Sequence, residues 1–416
     1  MYSLSNYIDF NKACRDEEYR NNMGIKMNRG GSQPLVIFKY NKKCINDDNI
    51  DTLGLFRSVV YDKKERKVVC VSPPKSKNIN KFQEKYKLEN CVVKDFVEGT
   101  MINVFNYNNN WEIATKSCIG GHFKYFKDSK KTFRQMFLEA IQGYDIFDLT
   151  DLDKSYCYSF VLQHPENTIV TPFSIASLIF ISAYKIHNSI EEDTPKITFE
   201  DKSNDVRFDI KCSHILNFSE ICDFDDKATI WKYVNDYYLT HDKPYSNKGF
   251  VVYSNTNPME RIKIRNPAHE YVKELRGNSS KQQFRFYNLR KLRKINEYLS
   301  FYPKERSDFS RYRDQLHAWT RELHDKYVKC FINKQLHVKE CPYEFRPHLF
   351  GLHKMYLSNL RPQNKKINFN IIATYVNQLE PARLMYSVNY SLRQPKVEKM
   401  QNEYDKVRTI IAESQL

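Results

Sequence analysis

Two kinds of hydrophobic spacing divide this chain. Up to about residue 275, short β-prone runs recur, and turn residues such as Gly, Pro, Asn and Asp separate them. Beyond that point apolar residues return every three or four positions, and Pro303, Pro347 and Pro362 interrupt the pattern. The spacing therefore predicts an α+β protein, with an antiparallel-sheet domain over residues 1–275 and an all-helical domain over residues 276–416.

The same pattern predicts individual elements. In the first domain we expect strands at 34–40, 55–61, 68–71, in both β-prone runs of 93–105, and at 111–116, 156–162, 168–170, 178–186, 249–253 and 260–265. Helical spacing predicts helices at 4–22, 129–142 and 228–239, whereas the acidic and polar stretch 189–210 is expected to be a loop. In the second domain the expected helices are 283–300, 308–335, 347–360 and 369–390.

The positive charge of the chain is concentrated in its helical part. The 416 residues carry a formal net charge of +16. From residue 276 onward there are 27 Lys and Arg against 13 Asp and Glu, whereas the first 275 residues hold 39 against 37. A basic domain on a nearly neutral body is typical of a protein that binds a polyanion such as RNA. A solvated helical surface rich in lysine is the alternative.

The composition of the chain bears on whether it binds a metal, which compartment it occupies and whether it crosses a membrane. The ten cysteines form no Cys-x-x-Cys pair and the histidines no His-x-x-x-His pair, so no metal site is expected. Single cysteines within apolar runs predict free thiols in a reducing compartment such as the cytoplasm. No window of 18 apolar residues occurs, and residues 1–20 lack the apolar core of a signal peptide, so neither a membrane span nor a leader is expected.

Several cations of the first domain stand at strand ends, together with one carboxylate, Glu98, that precedes Gly99. The cations are Arg57, Lys75, Lys116, Lys263 and Arg265. Lys263 and Arg265 are two apart in a strand, so they share one face of it. Cations that converge with one carboxylate would suit the phosphates and the ribose of a nucleotide. Ordinary exposed charges on strands are the alternative.

Seven segments, in order, resemble the covalent nucleotidyltransferases, specifically the phage-type RNA ligases and related proteins of large DNA viruses. They are FRSVVYD at 56–62, SPPK at 72–75, VEGTMINVF at 97–105, ATKS at 114–117, SFVLQHPENTIV at 159–170, KGFVV at 248–252 and RIKIR at 261–265. The resemblance covers residues 35–275. In that family a lysine in Lys-x-(Asp/Glu)-Gly attacks the α-phosphate of ATP, and the enzyme–AMP adduct then activates an RNA 5′ end.

This resemblance implies an ATP-grasp-like nucleotidyltransferase domain, ATP or another nucleotide as the cofactor, and RNA as a partner. It assigns nucleotide binding to Arg57, Lys75, Glu98, Lys116, Lys263 and Arg265. It also implies a viral setting, either the infected host cell or the virion, where protein partners in a viral assembly would be available.

Three positions depart from the family pattern. Phe96 stands where the nucleophilic lysine belongs, and a benzyl side chain cannot form a phosphoamidate. Val161 and Lys248 stand where the family has glutamates that help to bind metal, so Mg²⁺ binding is doubtful. We therefore interpret the chain as a pseudoenzyme of the RNA ligase family that binds RNA or a nucleotide.

Two alternatives remain open at the level of sequence. Lys94 precedes Phe96 by two residues on the same strand face, about 6.6 Å away by the usual strand rise, so it could act as a displaced nucleophile of an active ligase. The chain could also be a non-catalytic scaffold of a viral complex, in which Phe96 and Val161 close the site with apolar side chains.

The helical domain carries a basic and aromatic segment at 284–294. Its cations could neutralise RNA phosphates, whereas its aromatic residues are expected to be mostly the buried side of an amphipathic helix. The cations expected to bind RNA are Arg285, Arg290, Lys291, Arg293, Lys294, Arg311 and Arg313.

Overall fold

The computed structural model describes residues 1–30, 34–124, 130–143, 148–191, 194–206, 215–216, 227–240 and 244–393. The chain divides into two compact units between residues 274 and 275. Antiparallel sheets make up most of the first unit, and the described part of the second is helical. The α+β class predicted from hydrophobic spacing is confirmed. No described helix is both long and apolar enough to cross a membrane.

In the described residues the strands form three antiparallel sheets. In chain order they are β1 (Tyr2–Ser3), β2 (Ile25–Arg29), β3 (Leu35–Tyr40), β4 (Val59–Asp62), β5 (Lys67–Val71), β6 (Cys91–Asp95), β7 (Thr100–Tyr107), β8 (Asn110–Ala114), β9 (Tyr156–Gln163), β10 (Ser177–Glu191), β11 (Thr194–Asp201), β12 (Ile215–Leu216), β13 (Gly249–Ser254) and β14 (Arg261–Arg265). The first sheet has the order β1-β11-β10-β9-β7-β8, the second β12-β6-β13-β14 and the third β2-β3-β4-β5.

Helices cover the sheets of the first unit and build the second. They are α1 (Phe10–Arg15), α2 (Glu17–Asn22), α3 (Ile79–Lys85), α4 (Phe133–Gln142), α5 (Lys227–Thr240), α6 (Pro267–Arg276), α7 (Gln282–Lys291), α8 (Ile295–Phe301), α9 (Arg306–Tyr327), α10 (Arg346–Met355), α11 (Phe369–Gln378) and α12 (Pro381–Val388). Five-residue π-helical turns, Val328–Ile332 and Tyr356–Leu360, extend α9 and α10.

The second sheet has one apolar and one basic face, because successive side chains of a strand point to opposite sides. Val93, Val252 and Ile262 lie opposite one another on β6, β13 and β14, and they pack with residues of α3 and α5 into a buried cluster. The neighbouring row consists of Lys94, Val251 and Lys263. The cations of β6 and β14, namely Lys94, Arg261, Lys263 and Arg265, therefore share the face that points away from α3 and α5.

The six-stranded sheet also uses its two faces differently. One face packs against α4, through residues such as Phe160 and Phe137. On the other face Met101 of β7 lies opposite Val161 of β9. The register of β9 and β10 shifts between Phe180 and Ser182, which makes Ile181 the residue of a β-bulge.

Several predicted elements of the first unit differ from those observed. Arg57 was expected on a strand, but it lies in the turn between the 3₁₀ helix Leu53–Leu55 and β4. Residues 168–170 do not form a strand, because β9 pairs with β7 and β10 instead. The expected loop at 189–210 contains the end of β10 and all of β11. Cross-strand polar pairs such as His187 with Glu200 (Nε2–Oε1 3.1 Å) stabilise a hairpin whose composition resembles a loop.

The expected long helices of the second unit are interrupted. The predicted helix 283–300 is split into α7 and α8 at Arg293, whose φ of +59° is left-handed. The predicted helix 369–390 is split into α11 and α12, because Pro381 cannot continue a helix but is favourable in the first turn of a new one. Residue 129, the first of the predicted helix 129–142, lies outside the described residues, as do residues 394–416, which belong to the predicted basic helical domain.

Candidate functional site

A cavity of about 110 Å³ lies between the six-stranded sheet and the basic face of the second sheet. The six-stranded sheet contributes apolar side chains, namely Met101, Val161 and the bulged Ile181. The opposite wall is cationic, and a further cation enters from the turn before β4. These cations are Lys248, Arg261, Lys263 and Arg57. The chain therefore encloses a small space with an apolar wall and a strongly positive wall.

Phe96 stands at the centre of the positive wall. Its ring centre lies 4.1 Å from Nζ of Lys248, 4.6 Å from Nζ of Lys263 and 5.9 Å from Cζ of Arg265. A cation over an aromatic face within about 6 Å is attracted by the ring quadrupole. The backbone N–H of Phe96 donates to the carbonyl of Gly249 at 2.9 Å, which fixes the ring against the start of β13.

The three positions that depart from the ligase pattern line this one cavity. Phe96 and Lys248 come from the second sheet's side, and Val161 comes from β9 of the six-stranded sheet. Gly99 lets these walls approach each other: its φ is +140°, and a Cβ there would lie 2.4 Å from the carbonyl oxygen of Leu162. A residue other than glycine at position 99 would push the two sheets apart.

Burial among like charges lowers the pKa values of the cavity's cations. Burial lowers the pKa of Lys263 to about 5, and repulsion from Arg57 and Arg261 adds to the shift. Burial likewise lowers the pKa of Lys248 to about 8 and that of Arg57 to about 10. Lys263 thus carries a neutral amine at neutral pH until an anion enters. An anion in the cavity would relieve the repulsion between these cations and raise their pKa values.

Arg261 is a site residue that the sequence assignment missed. It is 4% exposed, and its guanidinium donates to the carbonyl of Pro74 at 2.8 Å and to Oη of Tyr253 at 3.4 Å. Its Nε is buried with no hydrogen-bond partner among the described residues. The signal was present in RIKIR, because Arg261, Lys263 and Arg265 alternate and therefore share one face of β14.

The cavity does not fit a divalent cation bound by protein ligands alone. Asp95 is the one carboxylate in its lining, against four cationic side chains. Mg²⁺ needs oxygen ligands, and the ammonium of Lys248 would repel it. Elsewhere in the described residues, no cluster of three or more His, Cys, Asp or Glu could hold a metal.

The carboxylate of Glu98 is buried and its oxygens are already hydrogen-bonded. Oε1 accepts from the backbone N–H groups of Val170 (2.7 Å) and Thr171 (3.2 Å), and Oε2 accepts from Oγ1 of Thr171 (3.0 Å) and Nε2 of His269 (2.7 Å). Burial raises the pKa of Glu98, but the bonds from His269 and Val170 outweigh burial, so the pKa lies below its usual value. Through these hydrogen bonds Glu98 connects the segment before β7 with residues 170–171 and with α6.

The other predicted nucleotide-binding cations lie at different distances from the cavity. Arg265 is near the Phe96 ring but is paired with Glu270, 3.0 Å from its Oε1. Lys116 follows β8, with its Nζ 4.5 Å from the Tyr40 ring centre, and burial followed by repulsion from Arg57 lowers its pKa to about 8. Lys75 does not line the cavity, and its backbone N–H donates to the carbonyl of Gly54 at 3.0 Å.

Lys94 lies on the basic face, in register with Val251 and Lys263. Its Nζ is 5.5 Å from the centre of the Tyr253 ring, and Lys94 is not among the residues that line the cavity. Lys248 and Lys263, and not Lys94, are therefore the amines next to the Phe96 position.

The cations expected to bind RNA have unequal exposure. Arg285 is 4% exposed, and it donates to Tyr298 and to both carboxylate oxygens of Glu305, so its assignment as an external charge is wrong. Others are partly or fully exposed and close to carboxylates: Lys291 to Glu380 (2.5 Å), Lys294 to Glu297 (3.9 Å), Arg311 to Asp308 (2.8 Å) and Arg313 to Asp314 (3.0 Å). Arg290 donates to Asn377, and Arg293 is exposed.

Comparison with known proteins gives a partial likeness to ligases. No protein-family model matches the chain. Over 97 residues it is 29% identical to an RNA ligase from Rhodothermus phage RM378, a match that spans 22% of the chain and 22% of the phage protein. The chain is thus similar to an RNA ligase over a limited stretch.

Two solved structures also align with the chain. A protein assigned as an ATP-dependent DNA ligase from Aquifex aeolicus aligns over 82% of the chain and 79% of its own length, with a TM-score of 0.38 and 14% identity. An archaeal ATP-dependent RNA ligase aligns over 90% and 75%, with a TM-score of 0.36 and 10% identity. Both TM-scores are low, and these likenesses carry no conclusion about the function of the chain.

Proposed function

We propose that this chain is an RNA-ligase-like protein that binds the phosphate of ATP, another nucleotide or an RNA in the cavity beside Phe96, without forming a covalent adduct there. The observation that carries the proposal is the convergence of Phe96, Val161 and Lys248 on one cavity with three further cations. The positive charge of Arg57, Lys248 and Arg261 favours a phosphate, and Lys263 can take up a proton as the phosphate binds. The phenyl ring of Phe96 offers no nucleophile.

RNA is the proposed partner, since RNA ligases act on RNA and the second unit supplies cations beyond those of the cavity. Binding of phosphates by Lys and Arg releases counterions, so affinity for RNA should fall steeply as salt is raised. Mg²⁺ is not required in this proposal, because Lys248 occupies the position of a metal-binding carboxylate.

The decisive experiment is an adduct assay combined with a binding measurement. The protein is incubated with α-³²P-labelled ATP or GTP and Mg²⁺ or Mn²⁺, denatured and examined for retained label, while nucleotide and RNA binding are measured by thermal shift and by fluorescence anisotropy. We expect binding of nucleotide or RNA at low salt and no label after denaturation. Failure to bind either ligand at low salt would overturn the proposal, and a cavity closed to every nucleotide would favour a scaffold role.

A second candidate function is covalent nucleotidyl transfer by a displaced lysine. The observation that favours it is the position of two amines next to Phe96, with Nζ atoms 4.1 and 4.6 Å from the ring centre. A lysine with a lowered pKa is a better nucleophile at neutral pH. Retained label that disappears in Lys248→Arg or Lys263→Arg would identify the residue, and Lys94→Arg tests the amine expected from sequence.

A further inference from the structure

The helical unit contains a second cavity whose charged lining is entirely cationic. Its volume is about 520 Å³, and it lies between α7, α8 and α9. Four arginines line it, and no Asp or Glu stands among its lining residues; the arginines are Arg290, Arg293, Arg306 and Arg313. Apolar side chains also line it: Ile295 is half-buried, Leu299 is 7% exposed, and Phe286 and Phe309 are almost completely buried.

The arginines reach this cavity from three different elements. Arg290 stands in the last turn of α7, and Arg293 follows in the turn that leads to α8. Arg306 and Arg313 are seven residues apart on α9, which is close to two helical turns, so they lie on the same side of that helix. His317, four residues further on, extends the row.

Two of these arginines have no compensating charge. Within the described part of the chain, neither the Arg293 nor the Arg306 side chain has an ion-pair or hydrogen-bond partner. Arg313 contacts the exposed carboxylate of Asp314, and Arg290 donates to the side chain of Asn377, which is neutral. A concave surface with unbalanced positive charge concentrates anions.

Arg293 occupies a backbone position that normally selects glycine. The backbone N–H of Lys294 donates to the carbonyl of Leu289 (2.9 Å) and that of Arg293 to the carbonyl of Arg290 (3.1 Å), which is the Schellman arrangement at a helix end. In that arrangement the residue at position 293 is left-handed, and its φ is +59°. A side chain there costs free energy that glycine would avoid, so Arg293 lines the cavity from a backbone position that favours glycine.

We propose that this cavity binds a nucleoside phosphate, with the phosphate between Arg293 and Arg306 and the base against the apolar side chains of Ile295 and Leu299. The volume lies within the range of about 300 to 1,000 Å³ usual for small-molecule sites and exceeds the need of a bare phosphate. The ligand is either a free mononucleotide or the terminal nucleotide of an RNA strand. This site is independent of the cavity beside Phe96.

The test uses the full chain and a fluorescent short oligouridylate with a 5′-phosphate, compared with its 5′-hydroxyl counterpart. Arg293→Gly and Arg306→Gln should each weaken binding of the phosphorylated strand about tenfold, because each removes one charge-assisted contact. Arg361→Gln removes an exposed arginine of the same unit outside the cavity, and it should change affinity by less than about twofold. Arg293→Gly should keep or raise the melting temperature, which separates lost binding from lost folding.

Competition distinguishes the two sources of the ligand. Displacement by UMP as effective as by the unlabelled strand identifies a free-nucleotide site, and displacement by the 5′-phosphorylated strand alone identifies an RNA-end site. The proposal is overturned if both cavity variants bind like the parent, or if Arg361→Gln weakens binding as much as they do. Repeating the titrations in Lys263→Met keeps the result separate from the sheet cavity: if only Lys263→Met alters binding, the helical site fails while the proposed function stands.

Discussion

The Nζ atom of Lys248 lies 4.1 Å from the centre of the Phe96 ring. Phe96 stands where the resembled family has its nucleophilic lysine, and Lys248 stands where that family has a glutamate. The cavity therefore still contains an amine, but this amine comes from the residue before β13 and not from the segment after β6. If the chain is the pseudoenzyme proposed above, it lacks two chemical functions of that family pattern and carries additional positive charge in their place.

Placing the ligase side chains at positions 96, 161 and 248 should allow the protein to form an AMP adduct, if the residues now at these positions prevent it. We expect no retained label from the parent protein, and retained AMP from the variant Phe96→Lys/Val161→Glu/Lys248→Glu, which regains a nucleophile and two oxygen ligands for metal. The assay is the denaturing ³²P-ATP experiment. The matched control carries Phe96→Arg with the same two glutamates, because a guanidinium keeps the charge but is not a nucleophile. A folded, ATP-binding triple variant without label would contradict this interpretation.

Removal of the Lys263 amine should stabilise the fold at neutral pH. Its folded pKa of about 5 lies far below the value of about 10.4 for an unfolded chain, so between these values the unfolded state binds more protons. The parent protein should lose stability as pH falls from about 10 to about 5, and Lys263→Met should lack that slope. Folding at pH 7 requires this amine to release its proton, which costs on the order of 1.4 kcal/mol for each pH unit below the unfolded pKa, so removing the amine should stabilise the fold by a few kcal/mol. Urea unfolding at several pH values measures this.

The control for that comparison is Lys64→Met, at an exposed lysine beyond β4. It should shift the free energy of unfolding by less than about 0.5 kcal/mol and leave the pH slope unchanged. A lower stability of Lys263→Met at pH 7 would show that the amine has a stabilising partner.

Anion binding at the sheet cavity should take up a proton. At pH 7 the amine of Lys263 is neutral in the protein without a bound anion. A phosphate next to the amine would raise its pKa and favour the ammonium form. Calorimetric titration with AMP or ATP in buffers of different ionisation enthalpy should therefore give an uptake approaching one proton per ligand. Lys263→Met should abolish most of it. Equal heats in all buffers, with binding intact, would contradict the assignment of the phosphate to Lys263.

Loss of the Glu98 carboxylate should destabilise the first unit strongly. Glu98→Ala leaves the buried donors of Val170, Thr171 and His269 without their acceptor, so we expect a loss of about 3 kcal/mol in the free energy of unfolding. Because the folded pKa of Glu98 is lowered, its stabilisation is complete above the usual carboxyl pKa and is lost as pH falls through the folded value. Glu89→Ala, at an exposed carboxylate beside Lys87, should cost less than about 0.5 kcal/mol.

The sequence predicted the fold best where strands that are neighbours in sequence also pair in the sheet. The pair β13 and β14 was predicted nearly to the residue, because β13 is a short apolar run, β14 alternates between charged and apolar residues, and a short turn joins them. The basic face followed from the same alternation, although Arg261 was left out of it. Most of β10 was predicted, but its end and all of β11 were missed, because their cross-strand pairs cannot be seen in composition.

Other parts of the site depend on contacts between distant residues. Glu98 meets His269, which is 171 residues away, and no local pattern identifies that bond. Arg285 looked like an external cation, yet the turn after α8 brings Glu305 to its guanidinium. The convergence of Phe96, Val161 and Lys248 required the sheets to be stacked in space. The resemblance to RNA ligases indicated that each departs from the family pattern, but not that they meet.

The saturated carboxylate of Glu98 has a consequence for sugar discrimination. A carboxylate offers about four acceptor positions, and four donors already contact this one. A sugar hydroxyl could bind there only by displacing an existing donor, so its gain would be cancelled by the bond that is lost. A 2′-hydroxyl should therefore add little to affinity, and ATP and its 2′-deoxy counterpart should bind this cavity about equally well. Selection of RNA over DNA would then have to come from other parts of the chain.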